Sequence, residues 1–288
     1  MKHTKLVCGT LAGLALFVGS GHAAVVAYTP DANTINLWHF DEASGTTAVD
    51  ATATNNLAAG GGATLGSTGF TGFGNAGNTT AASNSGFQTA SRTVASMTSA
   101  SGAFTFEALI NLTVASGGQR ILAMDNNSTN PNRPFLFNLS NGGADITFAN
   151  IGGASVNNYN SAIPVAGDHV FVANEWFHVA VTYNGSEGTA DNLKVYWTRV
   201  DSGATEANLV GSFNMSADLS GSASILGVGN DYRTAGTGNS NNLEGLIDEV
   251  RISNIARGAG DFIFTIPEPS TTVLLGLGGL ALILRRRK

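Results

Sequence analysis

The carboxylates near the end of the chain have the residue types that glycoside hydrolysis requires. That reaction uses two Asp or Glu side chains that flank the scissile bond, and Glu244, Asp248 and Glu249 come closest to such a set. Asp248 and Glu249 are adjacent, so on a regular strand they point to opposite faces and one of them can reach a groove. We therefore predict no catalytic residues and a protein that is not an enzyme. A carbohydrate-active enzyme, a glycosidase or lyase, is the alternative, because a pair from distant strands leaves no mark in the sequence.

The histidines and glycine clusters do not form a metal-binding or phosphate-binding motif. His39, His169 and His178 lack the spacing of a metal-ligating pair, and we predict that His178 packs within a strand rather than acting as a base. The glycines at 60–62 and 152–153 lack the strand-to-helix setting in which such loops hold phosphate. No nucleotide cofactor is therefore expected.

The three tryptophans are candidates for stacking on sugar rings if they are exposed. Trp38, Trp176 and Trp197 each lie in an apolar, alternating run. Such a run is typical of a strand with one buried face, so we predict that the tryptophans pack in the core.

The charges of the chain exclude a nucleic-acid partner and favour a hard cation. The 288 residues have a formal net charge of −6. Residues 24–266 hold 8 basic and 19 acidic side chains, a balance of −11. Binding to DNA or RNA requires a basic face, whereas carboxylates at loop ends suit Ca²⁺.

The first 23 residues have the pattern of a secretory signal peptide. Lys2 and Lys5 precede an apolar stretch at 6–18, and small residues follow it. We predict cleavage between Ala23 and Ala24. Cys8 is the only cysteine, so the mature chain would contain neither a disulfide nor a thiolate.

Residues 266–288 combine a Pro-Glu-Pro motif, an uncharged apolar stretch at 270–284 and a basic end. Fifteen helical residues span roughly 22 Å, short of the ~30 Å hydrocarbon core, and the terminal cations would remain in the cytoplasm. We predict a transmembrane helix at about 270–284, with the body of the protein exported. The motif residues are Pro267, Glu268, Pro269, Arg285, Arg286 and Arg287.

This order of motif, helix and cations resembles the PEP-CTERM sorting signal of Gram-negative bacteria. The resemblance implies export, anchoring through the C-terminal helix, and processing near the Pro-Glu-Pro motif by an exosortase-type membrane enzyme. It also implies an association with exopolysaccharide. An ordinary single-pass anchor, whose tail is retained, is the alternative.

The body between the two signals has the pattern of an all-β protein. Short runs with apolar residues at every second position alternate with clusters of Gly, Asn and Ser. We predict strands at 35–40, 104–112, 120–124, 135–139, 145–148, 170–173, 176–183, 193–200, 209–213, 225–228 and 246–252. Eleven short strands suit one antiparallel β-sandwich or jelly roll over residues 24–265. Residues 51–103 are rich in small polar residues, and there we expect loops and edge strands.

Two turns between these runs are also predicted. Residues 141–143, Asn-Gly-Gly, would connect the strands at 135–139 and 145–148. The runs at 176–183 and 193–200 would pair as a hairpin.

Four segments, in their order along the chain, resemble a laminin-G-like domain of the concanavalin A-like type. They are the opening strand and turn at 37–50, a core strand at 104–112, the central strand at 175–183 and the closing strand at 243–256. The resemblance implies a jelly roll over most of the body. The chain departs from the family at 51–56, where the loop is longer than usual.

The resemblance also implies a structural calcium ion between the opening segment and the closing strand. The matching positions are Asp50 and Asp248. Carbonyl oxygens of residues 51–56, or the side chain of Asn55, would complete the 6–8 oxygens that Ca²⁺ prefers. The alternative is that Asp50 caps a turn and Asp248 is solvated.

These signals together predict a non-enzymatic binding or structural protein of the cell envelope or extracellular matrix. Its expected partners are an exosortase-type enzyme and extracellular polysaccharide or surface proteins. A matrix component without a defined ligand is a further alternative.

Overall fold

The computed structural model describes residues 24–79, 84–125, 133–152, 157–234, 237–238 and 241–265, all within the compact unit Ala23–Ile266. The first ten strands are β1 Ala24–Val25, β2 Thr34–Trp38, β3 Thr47–Ala48, β4 Leu57–Gly60, β5 Thr64–Thr68, β6 Asn75–Asn78, β7 Gly86–Arg92, β8 Phe104–Leu112, β9 Arg120–Met124 and β10 Phe135–Ser140. The next ten are β11 Asp145–Asn150, β12 Asn157–Ala162, β13 Trp176–Tyr183, β14 Leu193–Arg199, β15 Leu209–Phe213, β16 Ser224–Val228, β17 Tyr232–Thr234, β18 Thr237–Gly238, β19 Gly245–Ser253 and β20 Phe264–Thr265. Short 3₁₀ turns occupy Val94–Ser96, Asn141–Gly143, Val200–Ser202 and Ala259–Asp261.

Two antiparallel sheets form the sandwich. The front sheet has the strand order β12-β11-β10-β9-β16-β7-β4-β3. The back sheet has the order β15-β14-β13-β8-β19-β6-β5, and β2 also pairs with β19. Strands distant in sequence lie side by side in both sheets, so the all-β jelly-roll prediction is confirmed.

Aromatic side chains from both sheets fill the space between them. Phe106 of β8 stacks on Phe135 of β10 with ring centroids 4.7 Å apart, and Phe104 lies 5.5 Å from Phe148 of β11. All four side chains are fully buried. Such ring pairs add roughly 0.5–1.5 kcal/mol each to the free energy of burial. They also fix which strand faces point inward, because neighbouring residues on a strand alternate in direction.

The two ends of the described chain form a third layer on the outer face of the back sheet. Ala24 pairs with Thr265, and Val25 with Phe264, as a two-stranded ribbon. Phe262 and Phe264 pack on His178 of β13, with ring centroids 4.8 and 5.5 Å away. We call residues 24–28 and 262–265 the terminal layer.

Several predicted elements are confirmed. Residues 104–112 form β8, and β13 pairs with β14 as the expected hairpin. Residues 141–143 form the 3₁₀ turn between β10 and β11. Residues 104–112 place large apolar side chains at every second position, which is the pattern of a strand with one face in the core.

Two expectations are wrong. Residues 170–173 are not a strand; Phe171 packs on Phe177, at a centroid distance of 5.9 Å, and the backbone enters a turn in which Glu175 N–H donates to the Val172 carbonyl. Residues 51–103 contain the expected loops and the edge strand β5, but the expectation is wrong for β4 and β7, which lie inside the front sheet, and for β6, which lies inside the back sheet.

Small residues mark the missed strand β6 because aromatic rings from its neighbours take up the space above it. A Cβ on Gly77 would lie 2.8 Å from ring atoms of both Phe40 and Phe87. Real Cβ atoms essentially never approach so closely, so glycine is required there. The apolar partners of β6 are therefore encoded elsewhere in the chain, and its own sequence shows no periodicity.

Several predictions concern residues outside the described ranges. They are the signal peptide at 1–23, the transmembrane helix at about 270–284 and the sorting motif at 267–269 and 285–287. Ala24, the predicted new N-terminus, begins β1. Within the ranges that the structure covers, no helix is long and apolar enough to cross a membrane.

Candidate functional site

A groove of about 610 Å³ lies on the outer face of the front sheet. Its floor consists of two rows of side chains that cross neighbouring strands. The polar row contains one residue from each of four strands, and strand register places each opposite the next: Arg120 (β9), Asn138 (β10), Thr147 (β11) and Asn160 (β12). The apolar row is formed in the same way by Leu136 (β10) and Ala149 (β11). Ala123 of β9 lies opposite Leu136 but is fully buried, so it does not line the groove.

The polar row is held together by its own hydrogen bonds. The Thr147 hydroxyl donates to Asn160 Oδ1 over 3.0 Å, and the Ser140 hydroxyl lies 2.6 Å from the same Thr147 oxygen. Asn138 Nδ2 donates to the Leu139 carbonyl over 2.6 Å. These bonds fix the rotamers of the row, so its remaining donors and acceptors are pre-positioned for a ligand.

Two arginines line the groove, and each is paired with a buried carboxylate. Arg120 Nε lies 3.5 Å from Asp231 Oδ2, and Arg133 Nε lies 3.0 Å from Asp125 Oδ1. Both aspartates are fully buried, while the arginine side chains are 10 and 17% exposed. The buried aspartates thus fix the orientation of the two guanidinium groups from the protein side of the groove. Asp145 is the carboxylate among the described lining residues.

A second cluster of titratable side chains lies on the outer face of the back sheet, beneath the terminal layer. Glu107 of β8 is fully buried and accepts from Arg251 Nε over 2.7 Å. Glu107 also bonds His178 Nε2, 3.1 Å away, and the Tyr28 hydroxyl. The Arg251 guanidinium lies 3.6 Å above the centre of the Tyr28 ring. We call these four residues the buried network.

The buried network is sealed, so its role is structural. Burial lowers the pKa of His178, and the bond to Glu107 acts against this change. Burial thus favours the neutral form of His178, and its Nδ1 has no hydrogen-bond partner. Burial raises the pKa of Glu107, but the Arg251 charge and His178 bring it below its usual value. The prediction that His178 packs as a structural histidine agrees with these contacts.

A β-bulge changes the expected directions of Asp248 and Glu249. Glu249 has φ 47°, in the left-handed region, and the β19–β8 register shifts between Asp248 and Arg251. Asp248 lies opposite the outward Leu109, while Glu249 accepts from Tyr28 N–H and contacts His39 Nδ1 at 2.6 Å. The expectation that the two carboxylates point to opposite faces is wrong, because the extra residue interrupts the alternation.

Burial and the neighbouring charges hold Asp248 in its neutral form. Burial first, then the charges of Glu249 and Asp41, raise the pKa of Asp248 to about 9. One of its oxygens, Oδ2, has no hydrogen-bond partner. Asp248 is fully buried, so the expectation that it is solvated is wrong.

The residues predicted to hold calcium are not arranged to share an ion. Six donor groups lie within hydrogen-bond distance of Asp50, three at each oxygen, which is enough to fill the four or so lone-pair sites of a carboxylate. The donors are the N–H groups of Leu37, Thr52 and Asn55, the hydroxyls of Thr52 and Thr54, and the Asn36 amide. Asp50 therefore caps its turn, as the alternative expectation proposed.

The other two predicted ligands have contacts of their own. The Asn55 carbonyl accepts from Trp38 Nε1 over 2.8 Å, and Asp248 Oδ1 accepts from the Glu249 N–H over 2.7 Å. Among the described residues, no three His, Cys, Asp or Glu side chains converge as metal ligands. The residues present do not fit a calcium ion between Asp50 and Asp248.

The tryptophans lie away from the groove. Trp38 and Trp197 are fully buried, and Trp197 Nε1 donates to the His169 carbonyl over 3.0 Å. Trp176 is half-buried against the apolar cluster beneath the terminal layer. The predicted packing role is confirmed for Trp38 and Trp197, and the described floor of the groove is aliphatic and polar rather than aromatic.

Comparison with protein families identifies both parts of the chain. A model of the Laminin_G_3 family, described as the concanavalin A-like lectin/glucanases superfamily, matches residues 81–261. A model of the PEP-CTERM protein-sorting motif matches residues 265–288. The chain belongs to the concanavalin A-like lectin/glucanases superfamily and ends in a PEP-CTERM signal, which implies export and exosortase processing at the C-terminus. No curated protein sequence matches it significantly.

Solved structures share the fold at low sequence identity. A sialidase of Trypanosoma rangeli, in complex with 2,3-difluorosialic acid, has a TM-score of 0.51 and 15% identity over 84% of this chain and 35% of its own. Domain 4 of AbnA, a GH43 extracellular arabinanase from Geobacillus stearothermophilus in complex with arabinotriose, has a TM-score of 0.50 and 16% identity over 84% and 98%. A botulinum neurotoxin type C structure has a TM-score of 0.52 and 14% identity over 80% and 49%. The chain spans about a third of the sialidase, and these identities show the fold alone.

The amino-acid sequence alone does not reveal the groove. Asn, Thr and Ser occur on any solvated strand face, so nothing in the sequence of β10–β12 separates a ligand-binding row from an ordinary surface. A weak signal was present for the buried network, because Glu107 is the one charged residue in the apolar run of β8. A charge in such a position usually has a buried partner.

Proposed function

We propose that the exported body is a non-enzymatic glycan-binding module and that its binding site is the groove of the front sheet. The observation that carries this proposal is the pair of parallel rows, a polar row across β9–β12 and an apolar row across β10 and β11. Sugar rings present hydroxyl edges and C–H faces, and the two rows offer a partner for each. The fold is compatible with this role, since AbnA domain 4 was solved in complex with arabinotriose.

The polar row suits hydroxyl groups in particular. Amide and hydroxyl side chains such as those of Asn138, Thr147 and Asn160 both donate and accept, as sugar hydroxyls do. Asn138 and Thr147 are nearly buried, at 6 and 4% exposure. Hydrogen bonds made there are partly shielded from water, which makes them stronger than those on an open surface.

The carboxylates support binding rather than hydrolysis. Glycosidases place two carboxyl groups about 5–10 Å apart around the bond that they cleave. The described lining of the groove supplies Asp145, while Asp125 and Asp231 lie behind it, paired with arginines. Glu107 and Glu249 belong to the opposite sheet and are buried.

A panel of glycans distinguishes the two functions. The exported protein is mixed with each polysaccharide, and both binding and new reducing ends are measured. We expect binding without reducing ends. Asn138→Ala should weaken binding about tenfold or more, the equivalent of one lost hydrogen bond of about 1.4 kcal/mol. Asn111→Ala, on the outer face of the back sheet, is the matched control. Release of reducing ends would instead establish a carbohydrate-active enzyme.

The sorting signal indicates where the exported body would be found. We propose that the helix at about 270–284 anchors the exported body until an exosortase processes the chain, after which the body lies in the cell envelope or matrix with exopolysaccharide. Intact-mass measurement of protein recovered from the envelope or medium should then show a chain that ends near residues 267–270. A mass that includes Arg285–Lys288 would establish a permanent anchor instead.

A further inference from the structure

The charges around the groove determine what kind of glycan it can take. Each arginine that lines it already has a carboxylate of its own, Asp231 for Arg120 and Asp125 for Arg133, and both carboxylates are fully buried. If one of these pairs separated, the carboxylate would remain buried as an uncompensated charge, which is strongly destabilising. The pairs therefore stay together. The two guanidinium groups are therefore neutralised from within the protein.

The surroundings of the groove add negative rather than positive charge. Asp145 stands among the lining residues with no described lining cation beyond the two paired arginines. The body as a whole has a balance of −11. A polyanion would approach against this field and would find no unpaired cation to bind.

The dimensions of the rows indicate more than one sugar. Neighbouring strands lie about 4.8 Å apart, so the polar row from β9 to β12 extends roughly 14 Å across three intervals. A single pyranose or furanose ring would contact only part of such a row. A chain laid across the strands would contact the polar row along one edge and Leu136 and Ala149 along its faces.

We infer that the groove binds a neutral oligosaccharide, without carboxylate, sulfate or phosphate groups, that lies across β9–β12. This inference rests on the proposed function and narrows it to a ligand class. The arginines then act as fixed N–H donors to hydroxyl groups. They do not act as charges that attract an anion.

The test compares glycans that differ only in charge. Oligomers of a polyuronate and the same oligomers after reduction of the carboxylates to alcohols are titrated into the exported protein by calorimetry, together with neutral arabinan, mannan and glucan oligomers. The titrations are run at low and high salt. We expect binding by neutral or carboxyl-reduced oligomers that changes by less than about twofold with salt, and tighter binding by trimers than by monomers.

The titrations test three claims separately: that the ligand is neutral, that it lies across the strands, and that the groove binds a glycan. Preferred binding of the unreduced polyuronate, with an affinity that falls steeply as salt rises, would overturn the neutral ligand while it supports glycan binding. Equal affinity for monomers and trimers would overturn the placement across the strands. No binding by any glycan, charged or neutral, would overturn the proposed function itself.

Discussion

The outer faces of the two sheets both carry arginine–carboxylate pairs, but one face is covered and the other is open. On the back sheet, Arg251 and Glu107 lie beneath the terminal layer and are almost completely buried. On the front sheet, Arg120 and Arg133 line a groove that opens to solvent. The same chemistry thus appears in a sealed setting and in an accessible one.

The difference shows how to separate a structural polar cluster from a binding site. The buried network satisfies itself: Tyr28 and His178 bond the same carboxylate that Arg251 neutralises. The groove residues are also held by hydrogen bonds, but they line an open groove. Changes in the buried network should therefore alter stability, whereas changes in the groove should alter binding.

The largest expected effect is that of removing the central charge of the buried network. Glu107→Gln leaves the Arg251 guanidinium buried without its counter-charge. Breaking one partner of such a pair destabilises a protein by roughly 3–5 kcal/mol. Urea unfolding of the exported protein measures this loss.

The matched change on the open face is Asp145→Asn. Asp145 is half-buried on the groove side, and a surface substitution of this kind changes stability by no more than about 0.5 kcal/mol. Similar losses for Glu107→Gln and Asp145→Asn would contradict the distinction between the two faces.

A smaller loss is expected from Tyr28→Phe, which tests whether the terminal layer is held by the buried network. The ring remains under Arg251, but the hydroxyl that joins Glu107 and His178 is removed. We expect a loss of about 1–2 kcal/mol in the free energy of unfolding. Tyr232→Phe is the control, because its hydroxyl lies 3.5 Å from the Asn84 carbonyl and makes at most a weak bond. A loss no greater than that of the control would show that the layer is held by apolar packing alone.

The dependence of stability on pH tests the buried carboxyl of Asp248. The folded protein keeps this group protonated up to about pH 9, whereas the unfolded chain releases the proton near pH 4. Between these values the folded state binds the extra proton, so stability falls as pH rises, by at most about 1.4 kcal/mol per pH unit. Asp248→Asn should therefore gain stability relative to the unsubstituted protein as pH rises from 5 to 8.

The same measurement serves as a metal test. Because Asp50 is occupied by six donors, addition of Ca²⁺ or of a chelator should leave both melting temperatures unchanged. A rise in melting temperature with Ca²⁺ that is absent in Asp248→Asn would restore the calcium site. Parallel pH curves for the two proteins would show that Asp248 is ionised in the folded state.

The sequence was sufficient for the fold where one face of a strand carries large apolar residues. Alternation in 104–112 and 176–183 predicts β8 and β13, because those strands contribute their own aromatic and branched side chains to the core. The alternation of apolar residues did not predict β6, where Gly77 makes room for the rings of Phe40 and Phe87. The information that makes β6 a buried strand resides in residues that are distant in the chain.

The candidate site depended on register, which the sequence does not show. Arg120, Asn138, Thr147 and Asn160 are spread over 41 positions, and only the pairing of four strands puts them in one row. The hydrogen bonds of Asp50 likewise depend on contacts that the sequence does not show. The place of Asp50 in the turn after the opening strand is compatible with a turn cap, but it does not show that six donors converge on one carboxylate.

The most direct test of the glycan-binding groove compares one buried threonine on each outer face. Thr147 of β11 and Thr182 of β13 are 4 and 3% exposed, and each is replaced by valine in the exported protein, which is then titrated with neutral arabinan, mannan and glucan oligomers. We predict that Thr147→Val weakens binding about tenfold, while Thr182→Val stays within about twofold of the unsubstituted protein. Equal affinities for the two variants, or a larger loss for Thr182→Val, would contradict the assignment of the groove as the binding site.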